Sequence, residues 1–245
     1  MTITRTLRRG ARTVARRAYV AARYRGHRYL CPCCERRFRR LAPHGQPPRP
    51  DRACPNCRAL QRHRLLWLYL LRERNILSRS CRVLHVAPER AIRRRLASAQ
   101  NLIYVTADLK MTEAAVHAEL SRLPFEDACF DIVICSHVLE HIEDDFASMV
   151  EMRRVLAATG QALVMVPVNP RLAQTYEDPS ITHPDARKQA FGHPGHVRYY
   201  GADVTARLEE SGFEVDPIDY VDHMPPGEAE RILASRGELI YVCRR

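Results

Sequence analysis

The stretch that most constrains this chain is Leu123–His141, LPFEDACFDIVICSHVLEH. Phe130 to Cys135 is a short, nearly continuous apolar run with β-branched residues, bracketed by Glu126-Asp127 and Ser136-His137. That pattern marks a strand buried on both faces of a parallel sheet. Past Asp144-Asp145, the apolar residues Phe146, Met149, Val150, Met152, Val155 and Leu156 recur at helical spacing. Gly160 stands where a left-handed C-cap would stop that helix. A second apolar strand, Ala162 to Val168, follows at once. Strand, polar loop, helix, strand is a βαβ unit, and ligands in such folds sit beyond the carboxyl ends of the strands.

The residues LPFEDACFDIVICSHVLEHIEDD and RVLAATGQALVMVPV resemble the central motifs of class I S-adenosylmethionine-dependent methyltransferases, type 11-like. The resemblance covers roughly Arg82 to Arg245. It implies an α/β, Rossmann-like sheet of seven strands, with an antiparallel pair at one edge, that binds S-adenosylmethionine. The methionine end of that donor is expected at the turn after the first strand. Here the turn reads His85-Val86-Ala87-Pro88-Glu89, with His85 at the usual acidic position and no glycine. Glu89 is a candidate to take over the missing polar contact, or else a cap for the helix Arg90–Ala97. Asp108 ends the second strand nineteen residues after Glu89. An acidic residue about 20 positions on accepts hydrogen bonds from ribose hydroxyls in dinucleotide folds. The resemblance places Glu119 at the adenine amino group and Leu120 against the adenine ring. Ser136, His137 and His141 would face the reacting centre. His137 is the candidate base or orienting group, and His141 is a second candidate or a helix-start residue. Methyl transfer is an in-line displacement, so alignment can suffice and a base is needed only for a poorly acidic acceptor.

Ahead of this region lie two Cys-x-x-Cys knuckles, Cys31/Cys34 and Cys54/Cys57, nineteen residues apart. That spacing matches a four-thiolate zinc site. The Arg- and Pro-rich segment between the knuckles has too few apolar residues to make a core, so metal binding would supply its folding energy. Four thiolates leave no open position, which makes the zinc structural. Disulfides are the alternative in an oxidising compartment, and Cys33 is a spare thiol that competes with Cys34. Leu60–Leu77, with Leu65-Leu66-Trp67-Leu68-Tyr69-Leu70-Leu71, reads as a helix with one broad buried face, and His63 as a structural residue of it.

Charge divides the chain. Residues 1–66 hold 18 Arg against Glu35 and Asp51, a net +16, and the remainder is −5. Residues 1–28 carry nine of those Arg, with Leu7, Val14, Ala18 and Ala21 near one helical face. A basic segment of this kind suits nucleic acid or an anionic surface, and its charge alone names no partner. The longest apolar run, Leu65–Leu71, falls well short of the about 20 residues that span a bilayer. With no apolar core of signal-peptide type at the start, a cytoplasmic location is expected. Three segments result: a basic arm (1–28), a zinc ribbon with its connecting helix (29–78) and a methyltransferase domain (79–245). Within the last, Arg171–Arg198 is a long insertion expected to be structureless and read as a lid or binding loop. It contains Tyr176, His183, His193, His196 and Arg198, and the spacing of its histidines fits no metal pattern.

The expected activity is methyl transfer from S-adenosylmethionine to an acceptor of unknown class, with a small molecule or glycan ahead of RNA. The alternative is a zinc-ribbon nucleic-acid-binding protein. That protein is either an RNA methyltransferase or a chain whose methyltransferase domain is degenerate.

Overall fold

The computed structural model describes residues 18–45 and 47–245, which form two compact units. The basic arm falls mostly outside the described residues; within it, residues 18–24 are helical.

The first unit comprises the chain up to Arg74, Arg90–Arg95 and Val221–Ser235. It holds two antiparallel ribbons: β1 (Arg25–Cys31) with β2 (Arg36–Phe38), and β3 (Ala42–His44) with β4 (Arg49–Ala53). Two-stranded ribbons are marginal alone. Here they share the unit with the helix Gln61–Arg72, in which every residue from His63 to Leu70 is buried. His63 caps this helix, its Nδ1 accepting from the Leu60 N–H at 3.2 Å. Arg64, 1% exposed, donates to the backbone carbonyls of Ile232 (2.7 Å), Leu233 (3.0 Å), Ala59 (2.9 Å) and Arg52 (3.3 Å). A guanidinium fork can be buried only when its donors are met in this way. The late segment Val221–Ser235 is thereby tied to the cysteine-bearing part, a join that nothing local in the sequence announces.

The second unit is built on one mixed sheet in the order β11-β12-β8-β7-β5-β6. Its strands are β5 (Cys81–Val86), β6 (Leu102–Ala107), β7 (Phe130–Ser136), β8 (Leu156–Met165), β11 (Glu214–Ile218) and β12 (Ile240–Arg244). The pairs β5·β6, β5·β7 and β7·β8 are parallel, and β12 runs antiparallel to both β8 and β11. The apolar run expected to be a doubly covered strand is β7, with Ile132, Val133, Ile134 and Cys135 at 0–1% exposure. At its start the Asp131 carboxylate takes the Arg82 backbone N–H (2.7 Å) and guanidinium (3.0 Å), which sets the β5·β7 register. The helix Asp145–Val155 is capped by Asp144, whose side chain accepts from the Ala147 N–H. It buries Ser148, Met149, Met152 and Val155 and leaves Phe146 and Val150 exposed.

Three expectations need correction. The sheet has six strands among the described residues, not seven. Residues 109–122 contain no β-branched run, and they pair with the sheet at the bridge Ala107↔Val116. Gly160 is not a helix cap: the helix passes straight into β8 at Leu156, and Gly160 lies inside that strand without a positive φ. A Cβ there would stand 3.0 Å from the carbonyl oxygens of Asp131 and Ala157, so close approach of the backbone demands the glycine. The insertion before Tyr199 is also not structureless. It holds β9 (Tyr176–Glu177), the helix Pro184–Phe191 and β10 (Arg198–Tyr199), which pairs with β9. The left-handed cap on that helix is Gly192, φ +81°.

Candidate functional site

The chain leaves β5 toward β6 on one side, and the next strand, β7, pairs on the other side of β5. The strand order therefore reverses between β5 and β7, and a crevice opens outside the carboxyl ends at such a switch point. The residues at those ends carry the unusual backbone. Ala87, just past β5, has φ +44°, and His137, just past β7, has φ +56°. Left-handed non-glycine residues are uncommon and cost about 1–3 kcal/mol, and they cluster at functional sites. Ala87 is held there by its N–H bond to the Ala107 carbonyl (2.8 Å), and His137 by its N–H bond to the Met165 carbonyl (2.7 Å).

His85 is fully buried, with Nδ1 2.9 Å from the Tyr104 hydroxyl and Nε2 2.8 Å from Glu89 Oε2. Both ring nitrogens are thus committed, and His85 orients the Glu89 carboxylate rather than facing the crevice itself. Val86 and Pro88 are buried at the same turn. Asp108 follows β6; its Oδ1 takes the N–H groups of Lys110 (2.6 Å) and Met111 (2.7 Å), leaving Oδ2 as the second acceptor. The Ser136 hydroxyl is buried and has no hydrogen-bond partner among the described residues. Leu120 is buried in the same core as Val86 and Ala107, whereas Glu119 is exposed. The ring of His137 lies between two carboxylates, Nδ1 3.2 Å from Glu140 and Nε2 3.2 Å from Glu238. A substrate proton would have to displace one of them, so the ring is better placed to orient than to abstract.

Beyond β7 the turn Leu139–His141 is pinned by Arg198, 1% exposed, which donates to the carbonyls of Leu139 (2.9 Å), Ile142 and Glu143 (2.7 Å). Tyr200 is equally buried and donates to Asp145 (2.6 Å), which Arg207 also contacts. Burial first, then the neighbouring Asp145 charge, pushes the Tyr200 hydroxyl well above its usual pKa. His141 meets His193 and His196 here, the three rings offering one nitrogen each within 4.8 Å of one another. Burial lowers the pKa of His196 to about 4 and, together with the charge of His141, lowers that of His193. His183 stands apart as the N-cap of the helix Pro184–Phe191. Sequence spacing alone could not have grouped His141 with the two later histidines, because the Arg198 fork supplies the connection.

In the first unit, Cys31, Cys34, Cys54 and Cys57 bring their sulfurs within 4.8 Å of one another. The pairs Cys31–Cys57 and Cys34–Cys54 are 3.5 and 3.6 Å apart. A tetrahedral ion with about 2.3 Å metal–sulfur bonds needs edges of about 3.8 Å, whereas a disulfide needs about 2 Å. Cys33 points elsewhere, its thiol donating to the His63 carbonyl. Hydrogen bonding to Cys31 pulls the Cys34 and Cys54 thiols below their usual pKa, while Cys33 and the other three push Cys31 up. A central dication would resolve that crowding, since coordinated thiols ionise outright.

Residues 77–164 match the family described as a methyltransferase domain. An uncharacterized protein of Methanocaldococcus jannaschii is 36% identical over 72 residues, 27% of this chain and 32% of that one. A protein of Mycolicibacterium smegmatis described as a probable S-adenosylmethionine-dependent methyltransferase is 33% identical over 108 residues, 44% of this chain and 37% of that one. The chain thus spans about a third of the length of these curated relatives. Among solved structures, the (4+2)-cyclase SpnF superposes with a TM-score of 0.51 at 16% identity, over 76% of this chain and 83% of that one. That likeness establishes the Rossmann-like α/β fold, and a fold alone does not fix the reaction.

Proposed function

We propose that this chain is an S-adenosylmethionine-dependent methyltransferase. The observation that carries the reading is the set of groups at the carboxyl edge of β5, β6 and β7. There the glycine-free but left-handed turn at Ala87, the Asp108 carboxylate and the unpartnered Ser136 hydroxyl stand on neighbouring parallel strands. An orphaned buried hydroxyl beside an open backbone turn suits a polar ligand, and the domain match over residues 77–164 supports the nucleoside-sulfonium donor.

When bound, the donor supplies an activated methyl group. In this reading the chain's own residues hold and align. Asp108 Oδ2 accepts from the ribose hydroxyls, and Glu89, steadied by His85, accepts from the ammonium of the methionine end. Backbone at His85–Pro88 lines the turn, Ser136 supplies a hydroxyl near the reacting centre, and Leu120 borders the adenine. The exposed Glu119 is assigned the adenine amino group. His137 and His141 face the acceptor, with His137 as orienting group. The four cysteines hold a structural zinc ion, which does not enter the reaction.

The acceptor assigned is a small molecule or glycan, because the catalytic half is acidic in net charge and would repel a polyanion. The Arg-rich first 66 residues fit nucleic acid or an anionic surface instead. Among the described residues no helix is long and apolar enough to cross a membrane. Radiolabelled methyl donor supplied with the full chain to a cell extract, then fractionated, tests both statements. Label is expected among small molecules or glycans. Label in RNA would transfer the acceptor to the basic segment, and no label in any fraction would defeat the activity.

A further inference from the structure

We infer that His141, His193 and His196, with the Glu140 carboxylate beside them, form a binding site for a divalent transition-metal ion, distinct from the four-thiolate cluster. This site does not depend on the methyl-transfer reading. The three rings lie with centroids 4.7 to 5.5 Å apart, and each offers a nitrogen within 4.8 Å of the other two. Two of the rings are already oriented from behind. His141 Nδ1 is 2.8 Å from the Gly195 carbonyl, and His196 Nδ1 is 3.1 Å from the Phe191 carbonyl. A ring that donates Nδ1–H to a carbonyl presents its Nε2 lone pair, which is how metal-binding histidines are usually held.

Gly195 lets the rings converge. A Cβ at this position would stand 3.2 Å from His141 Nδ1 and 3.4 Å from His193 Nδ1. His193 is the ligand that must adjust, because its Nδ1 accepts from the Gly195 N–H at 3.1 Å and coordination through that ring gives up this bond. Metal–nitrogen bonds of about 2.0–2.1 Å put tetrahedral ligands about 3.4 Å apart, so the rings close inward on the ion. His141 and His193 are exposed, so solvent rather than packed side chains surrounds the rings that make that movement.

The second observation is Glu140. Its side chain is fully buried, and among the described residues its carboxylate oxygens have no hydrogen-bond partner and meet only imidazole rings as ion-pair neighbours. Oε1 lies 4.0 Å from His196 Nε2 and 3.2 Å from His137 Nδ1. A buried carboxylate is costly unless a cation compensates it, and a dication among the three imidazoles would do so. The frame is fixed by the Val197 N–H bond to the Glu140 carbonyl (2.9 Å) and by Arg198. Imidazoles favour zinc, copper, nickel or iron over magnesium and calcium. Three ligands leave a coordination position open, as in catalytic rather than structural zinc sites.

The test titrates Co2+ into the full chain with its thiolate site loaded. One further equivalent is expected, with visible absorption typical of nitrogen and oxygen ligands and no thiolate charge-transfer band. His193→Gln, at an exposed ring, and His196→Asn should each abolish that uptake, whereas His183→Gln should keep it. Absence of saturable uptake beyond the thiolate site, or uptake unchanged in His193→Gln, would overturn the assignment. If His196→Asn fails to fold, His193→Gln still decides.

Discussion

The cysteine cluster and the histidine cluster offer metal ligands of similar number but are assembled in opposite ways. Each Cys-x-x-Cys knuckle is closed by a turn of the local chain, and the contacts between the two knuckles, Cys31–Cys57 and Cys34–Cys54, already stand close to a tetrahedral spacing. The three imidazoles come from His141 and from residues more than fifty positions later, and a buried arginine brings the two segments together. A site closed by local turns is written into residue spacing. A site closed by tertiary contacts is written into a side chain elsewhere, here Arg198.

The sharpest contrast should come from removing one ligand at the local site. Cys54→Ser is expected to abolish structural order across residues 25–59, since structural zinc contributes about 10–16 kcal/mol to folding of such segments. Hydrogen exchange of those amides measures it, and retained protection would mean that the ribbons hold without metal. Next in size is Arg198→Met. Emptying a buried guanidinium leaves the carbonyls of Leu139, Ile142 and Glu143 without that donor, an expected loss of about 3–5 kcal/mol in denaturant unfolding. A loss below about 1 kcal/mol, the net value of a typical hydrogen bond, would show that the histidine loop is held by something else. Cys33→Ser should keep all bound zinc and cost about 1 kcal/mol, because its thiol stands outside the four-sulfur group and donates to the His63 carbonyl. Loss of zinc in that variant would exchange the roles of Cys33 and Cys34. Smallest is Ala87→Gly, expected to raise stability by up to about 1 kcal/mol by relieving a left-handed alanine. A fall in the unfolding midpoint would place the constraint outside that φ angle.

The same local-versus-distant division explains what the sequence disclosed. The β7 strand was legible because an unbroken apolar run between polar brackets has one reading in an α/β chain. Gly160 was not, because a glycine after a helix looks the same whether it caps the helix or admits a neighbouring backbone. Its proximity to the Asp131 carbonyl decides the matter, and that is a contact across strands. The count of seven strands came from the resemblance alone, and the described residues form six. Val221–Ser235 gave no sign of joining the cysteine unit, since the Ile232 and Leu233 carbonyls that Arg64 holds have no sequence signature, and the Arg72–Glu228 pair joins residues 156 positions apart. At the carboxyl edge, Asp108 and Ser136 stood out by position, while the commitment of His85 to Tyr104 and Glu89 needed the packed sheet.

The donor site carries everything else in the functional reading, and calorimetric titration of S-adenosylmethionine into the full chain addresses it most directly. A single saturable binding event is expected for the native chain. In Asp108→Ala it should weaken about tenfold to a hundredfold, the equivalent of one or two hydrogen bonds to a charged acceptor. No binding to the native chain, or equal affinity in the variant, would contradict a donor held at the ends of β5, β6 and β7.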